Sequence, residues 1–100
     1  MRRIAGPGKL KAMAAPNIVI YTKRICPYCV WAKQLLDRKG VRYAEIDVEG
    51  NDDLRVWLAE TTGQRTVPQI FAGDRSLGGF SDIDALDRAG KLEPILRGEG

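Results

Sequence analysis

The stretch NIVIYTKRICPYCVWAKQLLDRKG, residues 17–40, decides the fold. Ile18, Val19, Ile20 and Tyr21 are β-branched or aromatic, which suits a short buried strand. Pro27 follows where a first helical turn should open, because its backbone angle is already set for a helix and it has no N–H to leave unpaired. Cys26 is therefore expected at the N-cap. Behind it Ala32, Leu35 and Leu36 fall on one helical face, Arg38 and Lys39 collect in the last turn, and Gly40 ends the helix. A strand running into a capped helix is the first half of a βαβ unit.

Downstream, Val41, Tyr43, Ile46 and Val48 predict a second strand over residues 41–48, with the alternation slipping near Ala44. Asn51, Asp52 and Asp53 supply a cap and first-turn negative charge for a second helix. Leu54, Trp57 and Leu58 give that helix an apolar face, and Gly63 closes it. Residues 69–72 and 75–77 around Gly73-Asp74 read as a hairpin. Ser81 with Asp84 reads as a capping box for a last helix carrying Ile83, Leu86 and Ala89 up to Gly90, and residues 91–97 add a further turn. The order βαβαββα predicts a small mixed sheet with helices on both faces and a right-handed crossover between its parallel strands.

With 100 residues, 44% of them apolar, the chain suffices for one domain with one core. It has no run of about 18 apolar residues to span a bilayer, and residues 1–16 lack the apolar stretch of a secretory signal. The net charge of +3 is local: residues 1–16 hold four basic side chains and no acidic one, leaving twelve basic against thirteen acidic over the remainder. A nearly neutral folded part argues against a nucleic-acid partner there. Residues 1–16, with Gly6, Pro7, Gly8 and Pro16, read as a disordered basic arm, residues 17–97 as the domain and residues 98–100 as a tail.

The chemistry concentrates in three places. Both cysteines lie in Cys26-Pro27-Tyr28-Cys29, where a disulfide closes almost no loop and saves little chain entropy, so the pair reads as reactive rather than structural. A structural zinc site wants four ligands, and the chain has no histidine and no third cysteine. Disulfide exchange needs a thiolate, whereas a free cysteine with pKa ~8.5 is mostly protonated at neutral pH. Cys26 at a helix start meets unpaired N–H groups and the positive end of the dipole, with Lys23 and Arg24 just upstream, while Cys29 lies a turn inside. Cys26 is thus the expected nucleophile and Cys29 the resolving thiol. In Thr66-Val67-Pro68 the proline either marks a strand edge or, with a cis Val67–Pro68 bond, leaves the Val67 backbone free to pair with an extended peptide. Gly78-Gly79-Phe80-Ser81-Asp82 is either a turn with its cap or a holder for an amino-acid head, with N–H groups for a carboxylate and Asp82 for an ammonium. Lys23, Arg55 and Arg65 are either solvated charges or partners for a further carboxylate.

Lys23-Arg24-Ile25-Cys26-Pro27-Tyr28-Cys29, Thr66-Val67-Pro68-Gln69-Ile70-Phe71 and Gly78-Gly79 with Asp82, in this order and spacing, resemble the dithiol glutaredoxins of the thioredoxin superfamily over residues 17–97. The resemblance implies an α/β thioredoxin fold, with a four-stranded mixed sheet flanked by helices and a cis bond before Pro68. It implies glutathione as co-substrate with no tightly bound cofactor or metal. The expected partners are glutathione and disulfide-containing or glutathionylated proteins, met by a cytoplasmic monomer without nucleic acid or membrane. By position, Cys26 would take up glutathione and Cys29 would resolve. Lys23 and Arg55 would meet its glycine carboxylate; the Val67 backbone would pair with its cysteine; Gly79, Phe80, Ser81 and Asp82 would surround its γ-glutamyl head; and Tyr28, Thr66 and Pro68 would also contact it. Many members carry an acidic or other polar residue where Ser81 stands. Thioredoxin itself usually has glycine then proline between its cysteines, so Pro27-Tyr28 favours glutaredoxin. An alternative is a dimer holding a [2Fe-2S] cluster on two Cys26 thiolates and two glutathiones, although its usual signature is a monothiol Cys-Gly-Phe-Ser site. A dedicated electron donor to one protein, such as a ribonucleotide reductase, is a third reading.

Overall fold

A computed structural model describes residues 16–98, so the expected basic arm, apart from Pro16, and the last residues of the expected tail lie outside the described residues. The elements are β1 (Ile18–Thr22), α1 (Pro27–Arg38), β2 (Ala44–Asp47), α2 (Asp52–Thr62), β3 (Gln69–Ala72), β4 (Arg75–Gly78), α3 (Phe80–Arg88) and α4 (Leu92–Leu96). The turn expected beyond Gly90 is the short helix α4, so the order is βαβαββαα. The strands lie in the order β2-β1-β3-β4, with β1 parallel to β2 and antiparallel to β3, and β4 antiparallel to β3. This is the four-stranded mixed sheet of the thioredoxin fold.

The central position of β1 follows from its alternation. Ile18, Ile20 and Thr22 are buried on one face, while Val19 and Tyr21 are half-buried on the other. The first face packs against Ala32, Leu35 and Leu36 of α1, Ile83 of α3, and Leu92 and Leu96 of α4, forming the larger core. The second face carries a smaller core of Val48, Leu58 and Phe71, bordered by Tyr21, Leu54 and Val67 and covered by α2. Tyr21 meets Phe71 edge-on at 5.7 Å between ring centroids, and Trp57 stacks on Phe71 at 5.9 Å. Trp57 is 44% exposed, so it roofs this core rather than filling it.

Three local expectations change. The second strand is half the expected length, and all four of its residues are exposed. Val41 and Tyr43 pack on the larger core from the loop before it, and Val48 enters the smaller core just after it. The slip near Ala44 is therefore where the strand begins, and the flanking apolar residues serve opposite faces of the sheet. Being an edge strand, β2 carries charges that discourage further pairing, here Glu45 and Asp47.

The second change is at α3, which starts at Phe80 with Gly79 as N-cap. Asp82 bends back so that its Oδ2 accepts the Gly79 N–H at 2.9 Å, while Asp84 pairs with Arg88 at 3.0 Å instead of joining a box with Ser81. The reason lies at Gly78, whose φ is +91° and where an added Cβ would stand 2.7 Å from Asp82 Cγ. Only glycine gives the chain that angle and leaves the carboxylate that room. The third change is Ala89, expected on the inner face but found exposed at the C-cap.

Polar contacts then tie α1 to its neighbours. The buried Thr22 hydroxyl donates to Glu45 at 2.8 Å and the Lys33 ammonium donates to the same oxygen at 3.0 Å. The Lys33 bond first and the Thr22 bond second hold the Glu45 carboxyl below the usual glutamate range. Lys39 pairs with Asp87, joining the end of α1 to α3.

Candidate active site

Cys26 caps α1 from an extended backbone conformation, with φ −154° and ψ 95°. Its Sγ accepts the Cys29 N–H at 3.1 Å, taking one of the donors that a helix start leaves unpaired. The first turn of α1 contains no acidic side chain to offset the positive end of the helix. Cys26 and Cys29 are joined as a disulfide. Cys26 is the more accessible of the two, at 8% against 2%. The preceding loop is fastened on both sides: the Val48 N–H donates to Thr22 O at 2.8 Å, and the Arg24 N–H donates to Glu49 Oε1 at 3.0 Å.

Beside the disulfide lies an open cleft of about 1010 Å³, whose walls include Tyr28, Thr66, Val67, Pro68, Gly79, Phe80, Ser81 and Asp82. All eight were expected around one ligand, and they come from three separate parts of the chain. The Val67–Pro68 bond is cis, and the Val67 carbonyl oxygen stands 3.9 Å from Cys26 Sγ. No described residue accepts a hydrogen bond from the Val67 N–H. Lys23 and Arg55 are not part of the cleft wall. Lys23 is exposed on the loop before Cys26, and Arg55 shares a separate depression on α2 with Arg65.

Two features escaped the reading of the sequence. Trp31 completes an aromatic cluster, 5.1 Å from the Tyr28 ring and 5.9 Å from the Phe80 ring, which links α1 to α3 at the rim of the cleft. Its signal was available in the three-residue spacing from Tyr28, which puts both rings on one helix face. The other is Gln69, buried at the start of β3 with its carboxamide turned toward the α2–β3 connection. A glutamine opening an otherwise apolar strand was the available sign.

The family model for glutaredoxins matches residues 18–77. The chain belongs to the glutaredoxin family. A glutaredoxin of Pseudomonas aeruginosa is 53% identical over 81 residues, covering 81% of this chain and 96% of that one. The solution structure of glutaredoxin from Brucella melitensis superposes with a TM-score of 0.77 at 42% identity, covering 95% of this chain and 98% of the other. A buckwheat glutaredoxin crystallised as its glutathione complex gives a TM-score of 0.76 at 36% identity, with 85% and 79% of the two chains covered. This glutaredoxin is accordingly a thiol–disulfide oxidoreductase, with its redox pair at the start of α1. Among its described residues no helix is long and apolar enough to cross a membrane.

Proposed function

We propose that this glutaredoxin reduces glutathione mixed disulfides and protein disulfides, with glutathione as reductant, Cys26 as nucleophile and Cys29 as resolving thiol. The observation that carries this reading is the Cys29 N–H aimed at Cys26 Sγ from 3.1 Å, at a helix start free of acidic side chains. Once the disulfide is reduced, the same N–H and the helix dipole favour a thiolate on Cys26. That thiolate attacks the glutathione sulfur of a mixed disulfide. A bond forms between Cys26 and glutathione, and the substrate leaves as a thiolate that takes a proton from water. A second glutathione thiolate then attacks the bound glutathione sulfur, releasing oxidised glutathione and restoring Cys26. With a protein disulfide, Cys26 forms the mixed disulfide and the Cys29 thiolate attacks Cys26 Sγ. The reduced protein leaves, the Cys26–Cys29 bond forms, and two glutathiones reopen it.

The cleft suits the tripeptide. The Val67 N–H, which no described residue accepts, and the carbonyl beside Cys26 offer one residue of strand pairing to an extended cysteine. Asp82 attracts the γ-glutamyl ammonium, and the Phe80 and Ser81 N–H groups at the start of α3 receive the neighbouring carboxylate. Lys23 and Arg55, outside the cleft wall, draw the glycine carboxylate through longer-range attraction. The buckwheat relative, crystallised with glutathione, supports glutathione as the ligand. We further assign the protein to the cytoplasm as a monomer.

The test is a glutathione-coupled assay on the purified protein with a small glutathione mixed disulfide. Turnover is expected, and its absence overturns the reading. A brown dimer after anaerobic reconstitution with iron and sulfide, without turnover, would point to the [2Fe-2S] alternative.

A further inference from the structure

Gln69 opens β3, a strand whose other residues, Ile70, Phe71 and Ala72, are apolar and buried. Its own residue surface is only 3% exposed. A carboxamide so placed is unfavourable unless its protons are taken up. Both are: Nε2 donates to Gln64 O at 2.9 Å and to Thr66 O at 3.0 Å. Two carbonyl oxygens can be satisfied only by the NH2 edge, so the partners themselves fix which way the carboxamide faces. Both acceptors belong to the connection between α2 and β3. The Gln64 end of this connection is also fastened by its N–H to Thr62 Oγ1 at 3.1 Å. The other end presents Val67, whose carbonyl oxygen stands 3.9 Å from Cys26 Sγ. Gln64, Thr66, Val67 and Gln69 all border the cleft.

We propose that Gln69 is a positioning residue for disulfide exchange. Its carboxamide clamps the Gln64 and Thr66 carbonyls so that the Val67 backbone faces Cys26 before substrate arrives. The assignment rests on the glutathione reading above. Its physical basis is preorganisation: a connection ordered in advance loses little conformational freedom on binding, so its single backbone pairing is kept as affinity. Gln69 does not touch the reacting sulfurs. Its effect belongs in substrate binding rather than in the chemical step.

Two substitutions test this. Gln69→Met keeps the length and apolar bulk but removes both donors. Gln69→Glu keeps the shape but sets a carboxylate against two carbonyls, and it can donate only when protonated. With a small glutathione mixed disulfide, both variants are expected to raise KM about tenfold, as when about one more backbone residue must be ordered on binding. Their kcat and the alkylation rate of Cys26 should stay within about twofold of the parent on the same grounds. For Gln69→Glu, the ratio of its KM to the parent KM should fall as pH is lowered and one donor returns. A lower Tm with unchanged KM in a folded variant means a merely structural role and overturns the assignment.

Should neither variant fold, the parent protein gives the answer by NMR with S-methylglutathione as a non-reacting probe. The Gln69 side-chain NH2 signals should exchange slowly and shift together with the Val67 amide as the probe is added. Rapid exchange, or a Val67 shift without Gln69, overturns the clamp. A parent protein that fails to turn over the mixed disulfide removes the functional reading and this assignment with it. An active parent with unaltered variants removes the assignment alone.

Discussion

The start of α1 and the start of α3 both border the cleft, yet they are capped in opposite ways. At α1 the cap is the sulfur of Cys26, which accepts the Cys29 N–H, and no carboxylate stands in the first turn. At α3 the cap is Gly79, which has no side chain, and Asp82 in the first turn folds back onto the Gly79 N–H. The first arrangement leaves the positive end of a helix to one sulfur, which favours a thiolate there. The second sets a negative group beside N–H donors within a few ångströms, as suits a ligand head carrying both an ammonium and a carboxylate. The two sites meet through the Tyr28, Trp31 and Phe80 rings. In the proposed function the cleft thereby divides its work, with sulfur chemistry on one helix and recognition on the other.

The strongest challenge to this division is at the sulfurs. Cys26→Ser should bring turnover of every disulfide substrate down to the uncatalysed rate. Cys29→Ser should keep turnover of glutathione mixed disulfides and lose reduction of protein disulfides. Steady-state assays with one substrate of each kind distinguish the two, and equal losses in both variants would refute the assigned roles.

A smaller effect is expected at the other helix. Asp82→Ala removes the first-turn carboxylate of α3, and we expect KM for the glutathione substrate to rise about tenfold, as for loss of one charge-assisted hydrogen bond. The alkylation rate of Cys26 should not change, because the cap of α1 is untouched. A slower alkylation in this variant would show that the two helix starts are coupled.

The smallest effect sharpens the contrast through the way α1 is anchored. Glu45 holds Thr22 and Lys33, and its carboxyl ionises below the usual range because of those bonds. A carboxyl with a depressed folded pKa contributes stability above its unfolded pKa of about 4.3, and loses it as pH falls through the folded value. Glu45→Gln should therefore show a shallower fall of Tm with decreasing pH below about 4.3 than the parent, while the two differ modestly near neutrality. Parallel melting curves at all pH values would remove Glu45 from the anchor. The pair is partly exposed, so the effect should shrink with added salt.

Much of this architecture was readable residue by residue. Pro27 announces the first turn of α1 and thereby makes Cys26 its cap, because helix entry depends on a few neighbouring backbone angles. Asn51 caps α2 for the same local reason, accepting the Leu54 N–H at 3.0 Å. The cap of α3 was misread because two carboxylates, Asp82 and Asp84, compete for it. The choice was made by the left-handed turn at Gly78, which no pattern of side chains records. The length of β2 was misread because apolar residues on either side of it serve different cores, a distinction that exists only once α1 and α2 lie on opposite faces.

The sequence by itself therefore determined the order of the elements, the redox pair at a helix start and eight of the residues that the fold gathers around one cleft. Tertiary structure alone decided that the Val67 carbonyl lies 3.9 Å from Cys26 Sγ, although 41 residues separate them, and that Gln69 spends its protons on Gln64 and Thr66. Local patterns specify backbone angles and faces. Distances between remote groups, and the acceptors a buried amide finds, follow only from how the packed layers close.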